Sequence, residues 1–97
     1  MSSADRGLPL EGITVLDLGQ IYQGPYAGFL LSMAGARVIK IEQTRGEPLR
    51  ARGDSISYAS LNSSKEAITL DLKSDEGKSM FMGLAKKSDV VLVNYAP

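Results

Sequence analysis

Short apolar runs and longer helical stripes alternate along this chain. The runs are dense in β-branched and aliphatic residues at successive positions, a pattern typical of parallel strands that are buried on both faces. Between them lie segments with apolar residues three and four positions apart, as in helices that cover a sheet. The predicted strands are 13–18, 36–42, 67–72 and 89–94, and the predicted helices run from Gly24 to about Ala34 and onward from Ser74. This alternation predicts an α/β fold with a mostly parallel, Rossmann-like sheet and crossover helices.

The first strand passes through glycines directly into a helix. Gly19 releases the chain from the sheet, Gly24 stands at the predicted N-cap and Pro25 at the first helical position, where its fixed φ suits the helix. Gly35 is predicted to end the helix in the left-handed conformation. Residues 13–42 thus form a βαβ unit with a right-handed connection. The helix N-terminus at the carboxyl edge of the sheet favours an anionic ligand, a phosphate or a carboxylate.

Two common nucleotide motifs are absent from this junction. Gly19 and Gly24 have the spacing of a P-loop, but Pro25 and Tyr26 stand where lysine and serine or threonine should follow. The G-x-G-x-x-G dinucleotide fingerprint is also missing. The sequence therefore argues against a Walker-type nucleotidase and a standard NAD site, and the glycines could equally serve the turn alone.

The second half of the chain repeats the strand and helix pattern. Ser74 is predicted to cap a helix whose first turn carries Asp75 and Glu76, which suit its dipole. Residues 89–94 are predicted to form a central strand because they are apolar in the middle. The helical side chains predicted to lie in the core are Phe29, Leu30, Met33, Met80, Phe81, Leu84 and Ala85.

Composition narrows the function classes. The chain has 97 residues, 43% of them hydrophobic, and 11 basic residues balance 11 acidic ones, so nothing steers it toward nucleic acid or an anionic membrane. Histidine and cysteine are absent, which argues against a metal site, a thiolate nucleophile and Ser-His-Asp chemistry. Residues 1–9 are predicted to be flexible and do not resemble a signal peptide, and the apolar stretch within 26–36 is too short to span a bilayer. A cytoplasmic protein is expected.

Acidic residues stand near the ends of three predicted strands. Asp17, Glu42 and Asp71 could act as nucleophile or base in a cleft, or could accept hydrogen bonds from loop amides. The sequence leaves both roles open, the catalytic one and the hydrogen-bonding one. Tyr22, in the glycine turn, is either an aromatic platform for a ligand or a plug for the turn.

Basic residues cluster around the third strand and the long polar loop before it. They could form a local rim that binds phosphates, or they could be solvated surface charges. The residues concerned are Arg45, Arg50, Arg52, Lys65 and Lys73.

Several segments, taken in order, resemble the N-terminal part of the class III CoA-transferases, the group that includes formyl-CoA and carnitine CoA-transferases and the related α-methylacyl-CoA racemases. The resemblance covers nearly the whole chain from Leu10 to Pro97. Each segment alone is weakly specific, and their order and spacing make the resemblance specific. The segments are 9–13, 15–18, 24–27, 31–42, 61–65, 68–73, 76–77 and 89–95.

The resemblance implies that residues 10–97 are the N-terminal part of a CoA-binding domain, with coenzyme A or an acyl-CoA as substrate and no metal. It implies CoA-nucleotide contacts at Ile21, Tyr22, Leu70 and Lys73, with Lys73 meeting a phosphate. Gln43 stands where the family pattern has a basic residue, so the resemblance makes Arg45 its substitute.

The resemblance also implies a reaction in which CoA passes between carboxylic acids. The family's catalytic aspartate lies downstream of every matched segment, so we expect none in this chain. Tyr22 differs from the glutamine of formyl-CoA transferases, which argues against formyl or oxalyl substrates. The full-length family forms interlocked homodimers, which a chain of this size is not expected to form.

The chain stops at Pro97, just after a predicted buried strand, which favours a fragment or truncated reading frame over a self-sufficient domain. The alternatives to a transferase portion are a 2-methylacyl-CoA racemase fragment and a non-catalytic remnant that binds CoA or a partner.

Overall fold

The computed structural model describes residues 7–20, 23–44, 59 and 62–95 of the chain. Every strand pairing within them is parallel, so the predicted α/β architecture with crossover helices is confirmed. The elements are β1 (Thr14–Asp17), α1 (Gln23–Met33), β2 (Arg37–Glu42), β3 (Glu66–Thr69), α2 (Asp75–Lys86) and β4 (Val90–Leu92).

The strands follow the order β3-β2-β1-β4, with β1 between β2 and β4. Leu16 of β1 pairs with Ile39 of β2 and with Val91 of β4, which fixes the register at the centre of the sheet. The chain moves outward from β1 through β2 to β3 and then crosses back to β4 on the other side of β1. Such a reversal is the switch point where open parallel sheets bind ligands, beyond the carboxyl ends of their strands.

The prediction that the last strand is central is wrong for the described sheet. β4 pairs with β1 on one side and is an edge strand, and Val90 and Val91 are 41% and 46% exposed. Its apolar run indicates a strand that is suited to burial, but the run carries no information on whether a neighbour lies on each side.

Alternate side chains of the strands supply two hydrophobic clusters, one on each face of the sheet. Leu16, Leu18, Ile39, Ile41 and Leu70 form the first cluster, against which Phe81, Leu84 and Ala85 of α2 pack. Val15, Ala36 and Val38 form the second, against which Leu31 of α1 packs. Because the two helices cover opposite faces, the carboxyl edge between them stays accessible.

Helix α1 begins earlier than predicted and ends as predicted. Its first residue is Gln23, so Gly24 and Pro25 lie inside the first turn and Gly24 is not the N-cap. At the other end Gly35 has φ 108°, with its amide donating to the carbonyl of Ser32 at 3.0 Å and the Ala36 amide donating to that of Leu31 at 3.1 Å. This pair of bonds is the Schellman ending that only a residue tolerant of positive φ allows at low cost.

Helix α2 has the predicted cap. The Ser74 side chain accepts a hydrogen bond from the Gly77 amide at 3.0 Å, and Asp75 and Glu76 occupy the first turn. The cap supplies an acceptor for one of the backbone amides at the helix start that have no intrahelical partner.

Three helical residues predicted to be in the core are exposed. Leu30 and Met33 of α1 are 49% and 56% exposed, and Met80 of α2 is 59% exposed. α1 is apolar around its whole circumference, so residue spacing alone does not tell its sheet-facing side from its outer side. In the described part of the chain, no helix combines the length and apolar content that a bilayer crossing requires.

Candidate functional site

A cleft of about 480 Å³ lies at the carboxyl edge of the sheet. Its walls come from three places: the residues after β2, the turn between β3 and α2, and the residues after β4. The lining residues are Gln43, Thr44, Leu70, Asp71, Leu72, Lys73 and Tyr95. The cleft therefore lies where the topology of a parallel sheet favours ligand binding.

The turn between β3 and α2 is held by hydrogen bonds from its own residues. The Asp71 carboxylate accepts from the backbone amide of Lys73 at 3.0 Å, and the Asp71 carbonyl accepts from the Ser74 hydroxyl at 2.8 Å. Leu70 extends the pairing with β2, its amide donating to the Glu42 carbonyl at 3.0 Å, and it is only 5% exposed. The turn thus gives the cleft an apolar floor at Leu70 and an exposed ammonium group at Lys73.

The opposite wall follows β4. Tyr95 lines the cleft, and partial burial raises the pKa of its hydroxyl. A tyrosine hydroxyl is protonated at neutral pH even without this shift, so it can donate a hydrogen bond. The preceding residue, Asn94, binds the backbone of Gln20 twice: its Oδ1 accepts from the Gln20 amide at 2.8 Å and its Nδ2 donates to the Gln20 carbonyl at 3.0 Å. These bonds join the segment after β4 to the segment after β1.

A buried ion pair lies beneath this edge. Lys65 Nζ is 2.6 Å from Asp17 Oδ2, with the two side chains 1% and 0% exposed. The same ammonium donates to the Pro25 carbonyl at 2.9 Å and to Asn62 Oδ1 at 2.8 Å, which accounts for its three N–H donors. Lys65 is therefore neither part of a basic rim nor a solvated surface charge, and both sequence readings of this residue are wrong. The pairing was not predicted because Asp17, the partner acid of Lys65, lies 48 positions away in the sequence.

The structure shows how the three acidic candidates, Asp17, Glu42 and Asp71, are buried and hydrogen-bonded. Asp17 is fully buried and, besides pairing with Lys65, accepts from the Gly19 amide at 2.8 Å. Asp71 binds the Lys73 amide, and Glu42 is 8% exposed. For Asp17 and Asp71 the structure agrees with the expected hydrogen bonds to loop amides, and a buried, paired Asp17 is out of reach of a substrate.

Two of the predicted CoA contacts, Leu70 and Lys73, lie together in the cleft, and their binding role stays a prediction. The predicted contacts Ile21, Tyr22 and Arg45, and the rim candidates Arg50 and Arg52, lie outside the described residues.

Sequence reasoning missed part of the lining, namely Thr44 and Tyr95. Both follow the end of a strand by two or three residues. Because ligands of parallel sheets bind beyond the carboxyl ends of the strands, that position is the signal that could have identified them.

The charges at the cleft suit a ligand that is partly anionic and partly apolar. Among the lining residues that the structure describes, Lys73 supplies a positive charge, and Asp71 directs one carboxylate oxygen to the Lys73 amide. Polar Gln43 and Thr44 offer further hydrogen bonds, while Leu70 and Tyr95 offer apolar surface. A lysine with rotatable donors is a common partner of phosphate oxygens.

Comparison with known proteins gives the family. The sequence model of CoA-transferase family III matches residues 10–97. Among curated proteins, the chain is 39% identical over 98 residues to the alpha subunit of succinyl-CoA–L-malate CoA-transferase from Chloroflexus aurantiacus, covering 93% of this chain and 23% of that protein. It is 39% identical over 94 residues to formyl-CoA:oxalate CoA-transferase from Streptomyces coelicolor, covering 91% and 23%.

Solved structures share the fold. A CAIB/BAIF family protein from Brucella suis superposes with a TM-score of 0.85 at 32% identity, over 91% of this chain and 26% of that one. A hypothetical protein from Mycobacterium tuberculosis superposes with a TM-score of 0.83 at 37% identity, over 88% and 25%. The chain spans about a quarter of the length of the curated relatives named above. With its family model matched over nearly its whole length, the chain belongs to CoA-transferase family III.

Proposed function

We propose that this chain supplies the CoA-nucleotide site of a CoA-transferase that moves CoA between carboxylic acids. The observation that carries the proposal is the meeting of Leu70 and Lys73 in one cleft at the carboxyl edge of the sheet. The family resemblance selects these two residues independently of the cleft. The proposed substrates are a CoA thioester and a carboxylic acid, as the names of the relatives suggest.

In this proposal the cleft binds the nucleotide end of CoA. Lys73 pairs with a phosphate, Leu70 and Tyr95 contact the apolar parts of the ligand, and Gln43 and Thr44 hydrogen-bond to it. An exposed lysine keeps most of its solvation when unbound, so we expect a modest contribution of about 1 kcal/mol, which is roughly fivefold in Kd. Ile21, Tyr22 and Arg45 remain predicted contacts from the segments that follow β1 and β2.

The acid chemistry of the reaction is proposed to lie outside this chain. Asp17 is buried against Lys65, and Asp71 organises the turn that carries Lys73, so neither is offered as the nucleophile. A carboxylate that forms an acyl anhydride with the substrate and then a CoA thioester needs open access to both partners. The role proposed for residues 10–97 is therefore binding, as the N-terminal part of a CoA-binding domain. The homodimer and the cytoplasmic location stay predictions.

The test is titration of CoA into the purified 97-residue chain by calorimetry, with a parallel series of the Lys73→Ala variant. We expect CoA to bind, and Lys73→Ala to raise its Kd roughly fivefold. Adenosine, which keeps the base and ribose of the nucleotide end but lacks its phosphates, should bind both proteins equally. Lys86→Ala is the matched control, because this exposed lysine lies in the last turn of α2, away from the turn that lines the cleft.

Two results would contradict the proposal. Absence of CoA binding would argue against a nucleotide site, and equal weakening of CoA and adenosine by Lys73→Ala would argue against the phosphate contact. The intact mass of the protein from its native source would address the alternative of a non-catalytic remnant. A mass of 10.4 kDa would favour that remnant, and a species several times heavier would favour the transferase.

A further inference from the structure

We propose that Asp17 and Lys65 are positioning residues for the cleft: their buried ion pair fixes the segment after β1, and through Asn94 that segment holds the wall that carries Tyr95. The inference rests on the proposed function, because the cleft is taken to be the CoA site.

The ion pair connects segments that are far apart in sequence. Asp17 ends β1, Lys65 precedes β3, and the carbonyl that Lys65 also binds belongs to Pro25 in the first turn of α1. The pair therefore holds the segment that leaves β1 and the helix that follows it from a single buried point. Gly28 of α1 lies so close to Asp17 that a Cβ there would overlap its carboxylate, so the helix also encloses the pair.

Hydrogen bonds and adjacent backbone residues together connect the pair to the cleft. The second carboxylate oxygen of Asp17 accepts from the Gly19 amide at 2.8 Å, and the Gly19 carbonyl accepts from buried Lys40 at 3.2 Å. The next residue, Gln20, has its amide and its carbonyl bound by the side chain of Asn94. Asn94 is adjacent to Tyr95, which lines the cleft. Each step is either a hydrogen bond or a peptide link between described residues.

Stability alone is a poor explanation for such a pair. Two charges removed from water lose hydration that their mutual attraction only partly returns, and apolar replacements of buried ion pairs are often equally stable. A carboxylate does what an apolar group cannot, since one oxygen meets Lys65 while the other orients the Gly19 amide. The pair thus defines the backbone position at the switch point of the sheet, where a ligand would bind.

The test uses two double variants that both remove the ion pair. Asp17→Asn with Lys65→Met keeps an oxygen that can accept from the Gly19 amide, whereas Asp17→Leu with Lys65→Met does not. Both avoid the unpaired buried charge that the single Lys65→Met variant would leave, so both are expected to fold. Because both also lose the Lys65 hydrogen bonds to the Pro25 carbonyl and Asn62 Oδ1, their urea midpoints are compared with each other as well as with that of the wild type. Amide hydrogen exchange and the Kd for CoA are then measured on each.

For the Asp17→Leu double variant we expect the Gln20 amide to exchange at least tenfold faster, with the Ile39 and Ile41 amides of the central sheet unchanged. The Kd for CoA should rise at least fivefold. The Asp17→Asn double variant keeps the acceptor for the Gly19 amide but lacks the contact with Lys65 that holds the Asp17 side chain, so both values should lie between those of the wild type and of the Asp17→Leu double variant. A residue with a merely structural role would change the urea midpoint and the exchange of the whole sheet together.

Unchanged exchange of the Gln20 amide in the Asp17→Leu double variant would overturn the positioning role, whatever CoA does. Faster exchange with a wild-type Kd for CoA would overturn the link to the cleft. If the wild-type chain itself fails to bind CoA, the proposed function fails, and the exchange measurement still decides whether the pair positions the segment.

Discussion

Alanine substitution at two glycines of the same helix, Gly77 and Gly83 of α2, is expected to change stability in opposite directions. At Gly83, a Cβ would meet nothing within 4 Å. At Gly77, a Cβ would overlap the carbonyl oxygen of Asp71 and lie 2.6 Å from its carbonyl carbon. The helix start is packed directly on the turn that leaves β3, and glycine is the residue that permits this approach.

The magnitudes follow from these surroundings. Replacing an exposed helical glycine by alanine gains about 0.5–1 kcal/mol, which is the expected stabilisation for Gly83→Ala. Gly77→Ala has the same gain, but overpacking costs about 1–3 kcal/mol. The displaced Asp71 carbonyl would also strain the Ser74 cap, which is worth about 1 kcal/mol. We therefore expect a net loss of about 1–3 kcal/mol for Gly77→Ala.

The assay is urea unfolding followed by far-ultraviolet circular dichroism, with the free energies of unfolding of the wild type and the two variants compared at equal m-value. Gly83→Ala serves as the matched control, since it has the same chemistry in the same helix. A Gly77→Ala protein at least as stable as the wild type would refute the inferred close packing. So would an equal destabilisation by both substitutions.

Two further substitutions test the cap and the exposed ion pair. In urea unfolding, Ser74→Ala should lower the free energy of unfolding by about 1 kcal/mol because the Gly77 amide loses its acceptor. The control Ser79→Ala, at an exposed position inside α2, should change that free energy by less than about 0.5 kcal/mol. Equal effects of the two substitutions would argue against the cap. A bidentate hydrogen bond from Arg37 lowers the pKa of the Glu66 carboxyl, so its contribution is present at neutral pH and is lost as the pH falls through that lowered pKa. The urea midpoints of the wild type and Glu66→Gln should therefore converge in acid, and a difference that grows in acid would contradict the assignment.

Much of the fold could be predicted from local sequence because local physics sets it. Gly35 ends α1 with positive φ because glycine tolerates that conformation, and Ser74 caps α2 because its hydroxyl reaches the Gly77 amide three residues on. The positions of the strands followed from runs of β-branched and aliphatic residues, to within a few residues at each end. The family followed from the order and spacing of short segments along the chain.

Part of the candidate site was also within reach of the sequence. Lys73 and Leu70 follow β3 and were selected by resemblance, and both line the cleft. Tyr95 was missed because a tyrosine after an apolar run has no local pattern that marks it as a wall residue. Its place depends on β4 returning beside β1, which is a property of the strand order.

The sequence by itself determined the class of fold, the C-terminal end of α1, the N-cap of α2 and the family, since each depends on residues that are neighbours along the chain. Only the tertiary structure decided which apolar residues are buried, as Leu30 and Met33 show, and that β4 lies at an edge of the described sheet. It also decided that Lys65 is buried against Asp17, because an ion pair between residues 48 positions apart exists only once two strands and a helix have assembled around it. The pairing of two distant charges is a property of three-dimensional neighbours that no local pattern encodes, and apolar spacing predicts the buried strands but not which side of an all-apolar helix faces the sheet.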